Sequence, residues 1–159
     1  MQLTLYTDYS LRVLLYLGLN PPRMATITEI ADSYQISRNH LVKVVHNLAT
    51  QGFVHTTRGR GGGLTLARAP TDINIGDVVR HTEVNFHLVE CFDHEQNTCP
   101  ISAACFLKGG LYEAQRAFMA VLDRYSLADV LQNKEWLRSV LRAPEPETTQ
   151  DRNDATIRR

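Results

Sequence analysis

Cys91, Cys99 and Cys105 are the only cysteines of the chain, and they fall within one stretch of fifteen residues. Their spacing is C-x7-C-x5-C, and the intervening loop carries Asp93, His94, Glu95, Asn97, Thr98 and Pro100. A free cysteine is ordinarily a small buried hydrophobe. A polar, turn-prone loop gives thiols no such reason to gather, so the stretch reads as a site. Thiolates ligate zinc and iron–sulfur clusters. Structural zinc sites favour a close pair such as C-x2-C, whereas the wider spacings here suit a loop wrapped around a larger polynuclear group. Three thiolates leave one position of a four-ligand set open. His87, His94, Asp93, Glu90, an exogenous group or a residue from elsewhere could fill it. Three reduced structural thiols are the plain alternative. A catalytic Cys–His pair is a weaker one, because no oxyanion donor or orienting partner can be named. The chain is not read as an enzyme.

The elements that must position this loop begin with an uneven charge distribution. Formal net charge is zero over 159 residues, with 43% hydrophobic and 21% charged residues, an ordinary globular balance. Residues 1–68, however, hold seven Lys/Arg against three Asp/Glu, while residues 69–142 hold seven against ten. A basic first half thus precedes an acidic second half. The apolar run Leu11–Leu19 is too short to span a bilayer, and Asp8 and Arg12 interrupt its approach. An odd cysteine count speaks against a disulfide framework. The expected address is the cytoplasm, with no membrane partner.

Thr7 is expected to cap a first helix starting at Asp8, with Asp8 and Arg12 paired four residues apart and Asn20-Pro21-Pro22 as the stop. Thr26-x-x-Glu29 is a capping box opening a short second helix. After the turn at Gln35-Ile36, Ser37 caps a third helix with Leu41, Val44, Val45 and Leu48 on one face. Two helices joined so tightly form a helix-turn-helix. The outward face is Arg38, Asn39, His40, Lys43, His46 and Asn47, and no acid lies between Ser37 and Thr71. Such side chains suit phosphates and base edges. Gly52 suits a left-handed helix stop. Two strands, Phe53–Thr57 and Leu64–Ala67, flank the tip Arg58-Gly59-Arg60-Gly61-Gly62-Gly63, making a wing whose arginines can enter a minor groove. A nucleotide-binding P-loop would need a Gly-Lys-Ser/Thr ending and a following helix, and both are missing.

The predicted fold is mainly α with a small β-wing: a winged helix-turn-helix DNA-binding domain at 1–70, followed at 71–142 by a short helix, the cysteine loop and dimerisation helices. The short helix around Ile75, Val78 and Val79 ends near His81. Leu111, Ala114, Phe118, Val121 and Tyr125 then make a heptad seam, flanked by Leu107 and Leu122, that suits one half of a dimer. Gly109-Gly110 suggests close backbone approach or a later helix start. Ser126 is expected to cap a further turn, and Trp136, Leu137, Val140 and Leu141 to pack back on the core. Residues 143–159 are expected to be a disordered tail.

Several pieces together carry a resemblance. They are Tyr6-Thr7-Asp8-Tyr9, Ser37-Arg38-Asn39-His40-Leu41-Val42-Lys43, Arg58-Gly59-Arg60-Gly61-Gly62-Gly63, Ile75-Gly76-Asp77-Val78-Val79 and the cysteine trio. From Met1 to about Leu141 the chain resembles the iron–sulfur winged-helix repressors, the IscR/NsrR-like family, and within it the nitric-oxide-sensing branch. The resemblance implies a homodimer bound to an inverted-repeat DNA operator through Ser37, Arg38, Asn39, His40, Lys43, Arg58, Arg60, Gly61 and Gly62. It implies one iron–sulfur cluster per subunit, 4Fe–4S with 2Fe–2S as the alternative, held by Cys91, Cys99 and Cys105. One branch of the family completes the ligand set with a histidine three residues after the last cysteine, where this chain has Lys108. In the nitric-oxide-sensing branch the fourth ligand is an aspartate of the partner subunit, and Asp8 matches it. Nitric oxide attack on iron would then release Asp8, shift the first helix and lower DNA affinity, so that nitric oxide detoxification genes are expressed. The rivals are a regulator of cluster-biogenesis or iron genes, a zinc- or thiol-based redox regulator on the same DNA-binding half, a cluster-independent apo-regulator, and a small redox enzyme or electron carrier. The last would leave the basic wing without a purpose.

Overall fold

The computed structural model describes residues 2–19, 21 and 23–142. The predicted tail at 143–159 lies outside the described residues, as do Asn20 and Pro22 of the predicted helix stop. Helix α1 (Leu5–Leu19) begins before the expected start. Thr4, not Thr7, occupies the capping position: its hydroxyl accepts from the Thr7 backbone N–H at 3.2 Å. Thr7 is instead fully buried on the helix. Glu83 reinforces the new start by accepting from the Thr4 N–H at 2.8 Å and the Thr4 hydroxyl at 3.1 Å.

Helix α2 (Ile27–Tyr34) carries the expected capping box, with Thr26 and Glu29 each accepting from the other's backbone N–H. Gln35 takes a left-handed conformation, φ 54, and turns the chain into α3 (Arg38–Thr50). Ser37 stands at the N-cap of α3, but its side chain makes no cap hydrogen bond. Leu41, Val44, Val45 and Leu48 are buried as their spacing requires. At the far end Gly52 adopts φ +72. Its N–H bonds to the Ala49 carbonyl at 3.1 Å and the Phe53 N–H to the Leu48 carbonyl at 2.9 Å, the paired closure of a Schellman motif.

The wing is an antiparallel hairpin of β1 (Val54–Thr57) and β2 (Gly63–Leu66), with Val54 opposite Leu66 and Thr57 opposite Gly63. The first strand is one residue shorter than expected, at its Phe53 end, and the second keeps its length but is shifted by one, gaining Gly63 and losing Ala67. Leu64 also exchanges backbone hydrogen bonds with Ala25, at 2.8 and 3.0 Å, which stitches the wing to the entry of α2. At the tip, a Cβ on Gly62 would lie 2.2 Å from the Thr57 carbonyl oxygen, so only glycine closes this hairpin.

Helix α4 (Ile75–Thr82) is capped by Asn74 and buries Ile75, Val78 and Val79. Helix α5 (Phe106–Leu122) follows the cysteine loop, then α6 (Leu127–Val130), capped by Ser126 as expected, and α7 (Lys134–Leu141). Leu141 and part of Leu137 pack back on the core, whereas Trp136 and Val140 stay exposed. The core is continuous, running from Val13, Leu14 and Leu48 through Phe53 to Ile73, Val78, Leu127 and Leu131. Elements on both sides of residue 70 therefore share one interior around α1. Helix α5 meets this core only at its end, where half-buried Leu122 packs against it, and none of its 17 residues is buried.

Candidate DNA interface and cysteine site

The face of α3 away from the core presents Arg38, Asn39, His40, Lys43 and His46, all exposed, with Ser37 exposed just before them. Asn47 does not belong to this face. Its Oδ1 is buried and has no hydrogen-bond partner among the described residues. One helical turn earlier the Lys43 carbonyl accepts from the Tyr6 hydroxyl of α1 at 3.3 Å. His40 is exposed but stacks on Tyr9 of α1, ring centroids 6.2 Å apart. Arg58, Arg60 and Gly61 sit exposed at the wing tip, with Gly62 half-buried behind them. The basic groups expected at the DNA thus occupy two places, the α3 face and the hairpin tip.

The N-terminal turns of α1 meet this interface from behind. Asp8 is held by Arg12 in a two-point pair, Nε to Oδ1 at 3.0 Å and Nη2 to Oδ2 at 2.7 Å. The Arg12 guanidinium also lies over the rings of Tyr9, at 5.9 Å, and Tyr34, at 5.7 Å. Burial pushes the Tyr34 hydroxyl up to about 12, with the Arg12 charge opposing and Tyr16 and Asp8 adding to the rise. Tyr34 therefore stays a neutral phenol against that guanidinium. Asp8, Arg12, Tyr9 and His40 form one chain of contacts from α1 to α3, and spacing alone reveals only its Asp8–Arg12 link.

The cysteine loop joins α4 to α5 with little packed structure of its own. Cys91 lies in a short 3-10 turn, Glu90–Phe92, and Cys105 is the residue preceding α5. All three thiols are free and half-buried. Phe92 is buried and stacks flat on Tyr112 of α5, centroids 3.9 Å apart. The Gln115 amide donates to the Phe86 carbonyl at 2.5 Å. Within the loop Glu90 accepts from the Thr98 N–H at 2.6 Å and hydroxyl at 2.7 Å, and these two bonds hold its carboxyl below the ordinary range. Asp93 accepts from the N–H groups of Glu95 and Gln96 and stands 3.7 Å from His87. The local carboxylates considered as fourth ligands thus have structural work in the loop. Lys108 donates to the Ser102 hydroxyl at 3.1 Å.

Three unpaired, partly exposed thiols are the donor chemistry an iron–sulfur cluster uses. Among the described residues, however, no three His, Cys, Asp or Glu side chains of the single chain stand together as a metal-holding group. The donors fit the group in kind, but one chain does not close around it.

A family model described as Rrf2, iron-dependent transcriptional regulator, matches residues 3–133. The chain belongs to the Rrf2 family. It is 52% identical over 146 residues to the HTH-type transcriptional regulator NsrR of Bacillus subtilis, covering 91% of this chain and 100% of that one. It is 51% identical over 142 residues to NsrR of Shouchella clausii, covering 89% and 95%. Among solved structures, a transcriptional regulator from Listeria innocua superposes with a TM-score of 0.69 at 26% identity, over 84% of this chain and 88% of that one. IscR of T. potens superposes with a TM-score of 0.62 at 24% identity over the same shares, a likeness of fold. The expected winged-helix architecture is therefore the Rrf2 architecture, and the protein is a DNA-binding transcriptional regulator of the NsrR type. No helix among the described residues is long and apolar enough to cross a membrane.

Proposed function

We propose that this Rrf2 protein is a homodimeric, nitric-oxide-responsive repressor that lets go of its operator when its sensor is hit. What carries the reading is the set of three free, half-buried thiols on a chain half identical to regulators named NsrR over nine-tenths of its length. Cys91, Cys99 and Cys105 would hold an iron–sulfur cluster, with Asp8 of the partner subunit as fourth ligand. When bound, the cluster supplies iron at which nitric oxide can bind.

The chain's own residues supply the response. The apolar residues of α5 that this chain leaves partly or largely uncovered, Leu107, Leu111, Phe118 and Val121, are covered by the same helix of a second copy. An Asp8 carboxylate directed across that interface cannot keep both of its contacts to Arg12. Arg12 in turn rests on Tyr9, and Tyr9 on His40, so the choice Asp8 makes between Arg12 and the partner is felt at the start of α3. Tyr6, through the Lys43 carbonyl, ties the first turn of α1 to the middle of α3. Arg38, Asn39, His40 and Lys43 would read the major groove and its phosphates, and Arg58 and Arg60 the adjoining minor groove. A symmetric dimer would then favour an inverted repeat with half-sites about one helical turn apart.

The test is an anaerobic nitric oxide titration read by absorbance and operator binding together, on the wild type and on Asp8→Ala. The wild type should lose operator affinity by about 5- to 150-fold, the usual range of such couplings. Asp8→Ala should retain its cluster poorly or bind DNA equally before and after nitric oxide. An Asp8→Ala protein with unchanged spectrum and unchanged release would sink the cross-subunit ligand. A cluster that answers to iron supply but not to nitric oxide would move the protein to the iron-responsive side of the family.

A further inference from the structure

Arg68 counts toward the basic charge of the DNA-binding half and is exposed, yet its guanidinium folds back onto the end of α3. Its Nε donates to the Gly52 carbonyl at 3.0 Å and its Nη2 to the Gln51 carbonyl at 3.1 Å. Its Cζ lies 4.9 Å from the centre of the Phe53 ring. These carbonyls follow the Schellman closure of α3, at a helix end where a cation is also favoured by the dipole. The edge of His81, from α4, meets Phe53 as well, centroids 5.7 Å apart. One residue before Arg68, the Ala67 N–H donates to the Phe53 carbonyl at 3.0 Å. The end of the DNA-facing helix and the base of the wing are thus fastened by a backbone bond, a two-point side-chain fork and a stacked ring.

We propose that Arg68 is a positioning residue for operator binding: it does not reach the DNA but sets the angle between α3 and the wing, so that Arg58 and Arg60 meet one groove while α3 is seated in the next. The proposal rests on the reading of Arg58 and Arg60 as DNA contacts. Leverage makes the angle matter. Four residues of strand span about 13 Å, so a swing of roughly 10° at the base moves the tip by about 2 Å. Recognition geometry tolerates only about 0.5 Å of play. Lysine cannot replace the fork, since it lacks the paired planar donors that bridge two carbonyls.

The experiment measures operator affinity against salt concentration for the full-length wild type, Arg68→Ala, Arg68→Lys, the double variant Arg58→Ala/Arg60→Ala, and the triple variant combining Arg68→Ala with that pair. Thermal midpoints of each are taken alongside. Arg68→Ala and Arg68→Lys should each weaken binding roughly tenfold, the order of a lost groove contact. Their salt slope should fall to that of the double variant and no further, because displacing the wing withdraws Arg58 and Arg60 while Arg68 makes no phosphate contact of its own. In the triple variant Arg68→Ala should cost almost nothing more, and hydroxyl-radical protection should vanish at the wing flank alone. A triple-variant slope shallower than the double variant's by about a further 0.9 would make Arg68 a phosphate contact and overturn the proposal. So would full additivity with the double variant, or unchanged affinity per folded molecule. If the double variant itself loses nothing, the wing assignment falls and takes this proposal with it. If the double variant loses affinity and Arg68→Ala does not, Arg68 alone is misassigned. Should Arg68→Ala fail to fold, Arg68→Lys keeps stem and charge and decides the same question.

Discussion

Helices α3 and α5 are both amphipathic, yet the chain treats their apolar faces in opposite ways. Leu41, Val44, Val45 and Leu48 of α3 are sealed against α1, α2 and the wing, whereas α5 buries none of its 17 residues and leaves Phe106 at 98% and Leu107 at 70% exposure. The first half is complete within one chain, with caps, a Schellman closure and a shared interior. In the second half α4 and α6 belong to the shared core, but the cysteine loop and α5 are held mainly by Phe92 on Tyr112, the Gln115–Phe86 bond and Leu122, and no metal-holding group forms among the described residues. DNA reading needs a rigid surface that each subunit carries alone. In the proposed dimer, sensing would instead use a surface that exists only where two subunits meet.

That contrast can be broken at three depths. The largest expected effect is on the sensor half: Cys99→Ala should lose essentially all bound iron and sulfide by elemental analysis, while the far-UV circular dichroism stays that of the wild type. A collapse of helix content would show that the thiols hold up the fold and are not merely carried by it. Next, Leu48→Ala should cost about 2–5 kcal/mol in urea unfolding, as a fully buried leucine does. Leu107→Ala should change stability in dilute solution by less than about 0.5 kcal/mol. It should instead weaken self-association in sedimentation equilibrium. Equal losses from the two substitutions at low concentration would erase the distinction between the halves.

The smallest effect concerns acid. Burial pushes the Glu29 carboxyl up, but hydrogen bonds from Arg23 and Thr26 and the Arg23 charge outweigh it and leave the group below its ordinary 4.5. The unfolded chain therefore takes up this proton first as pH falls. The stabilisation is complete above about pH 4.5 and is lost as pH drops through the lower folded value. Glu29→Gln should flatten that part of the stability profile without touching iron content. A profile unchanged by the substitution would mean the capping box contributes nothing through charge.

Much of the DNA-binding half was legible because its signals are local. The Thr26–Glu29 box, the four apolar positions of α3, Gly52 and the glycine-rich tip each depend on neighbours within a few residues. The start of α1 was misread for the opposite reason. Thr7 looks like a cap, but a buried position claims it, and Thr4 is chosen with the help of Glu83, 79 residues away. Helical phase points Asn47 outward, yet its amide oxygen is buried and its side chain hydrogen-bonds Tyr6 of α1. Arg68 is one more basic group in the sequence, and only the fold brings it to the Gln51 and Gly52 carbonyls it bridges. In the cysteine loop, spacing marks the three thiols, but nothing local says what Glu90 and Asp93 do there. Nor could spacing say that Gly109-Gly110 lies inside α5 with open space around both glycines, so the expected later start does not occur and no close approach is made among the described residues.

Those two glycines bear on how the sensor half comes apart. Each weakens a helix by about 1 kcal/mol relative to alanine, and both lie within the first two turns after Cys105. The segment from Phe106 to Leu111 is thus poorly self-supporting and should fray in preference to the rest of the helix. Its amide protons should exchange with solvent fastest in α5 whenever Cys105 is free, and slow sharply when that sulfur is held. The helix would unzip from its sulfur end, so in the proposed dimer the grip on one thiol would also govern how long the seam is.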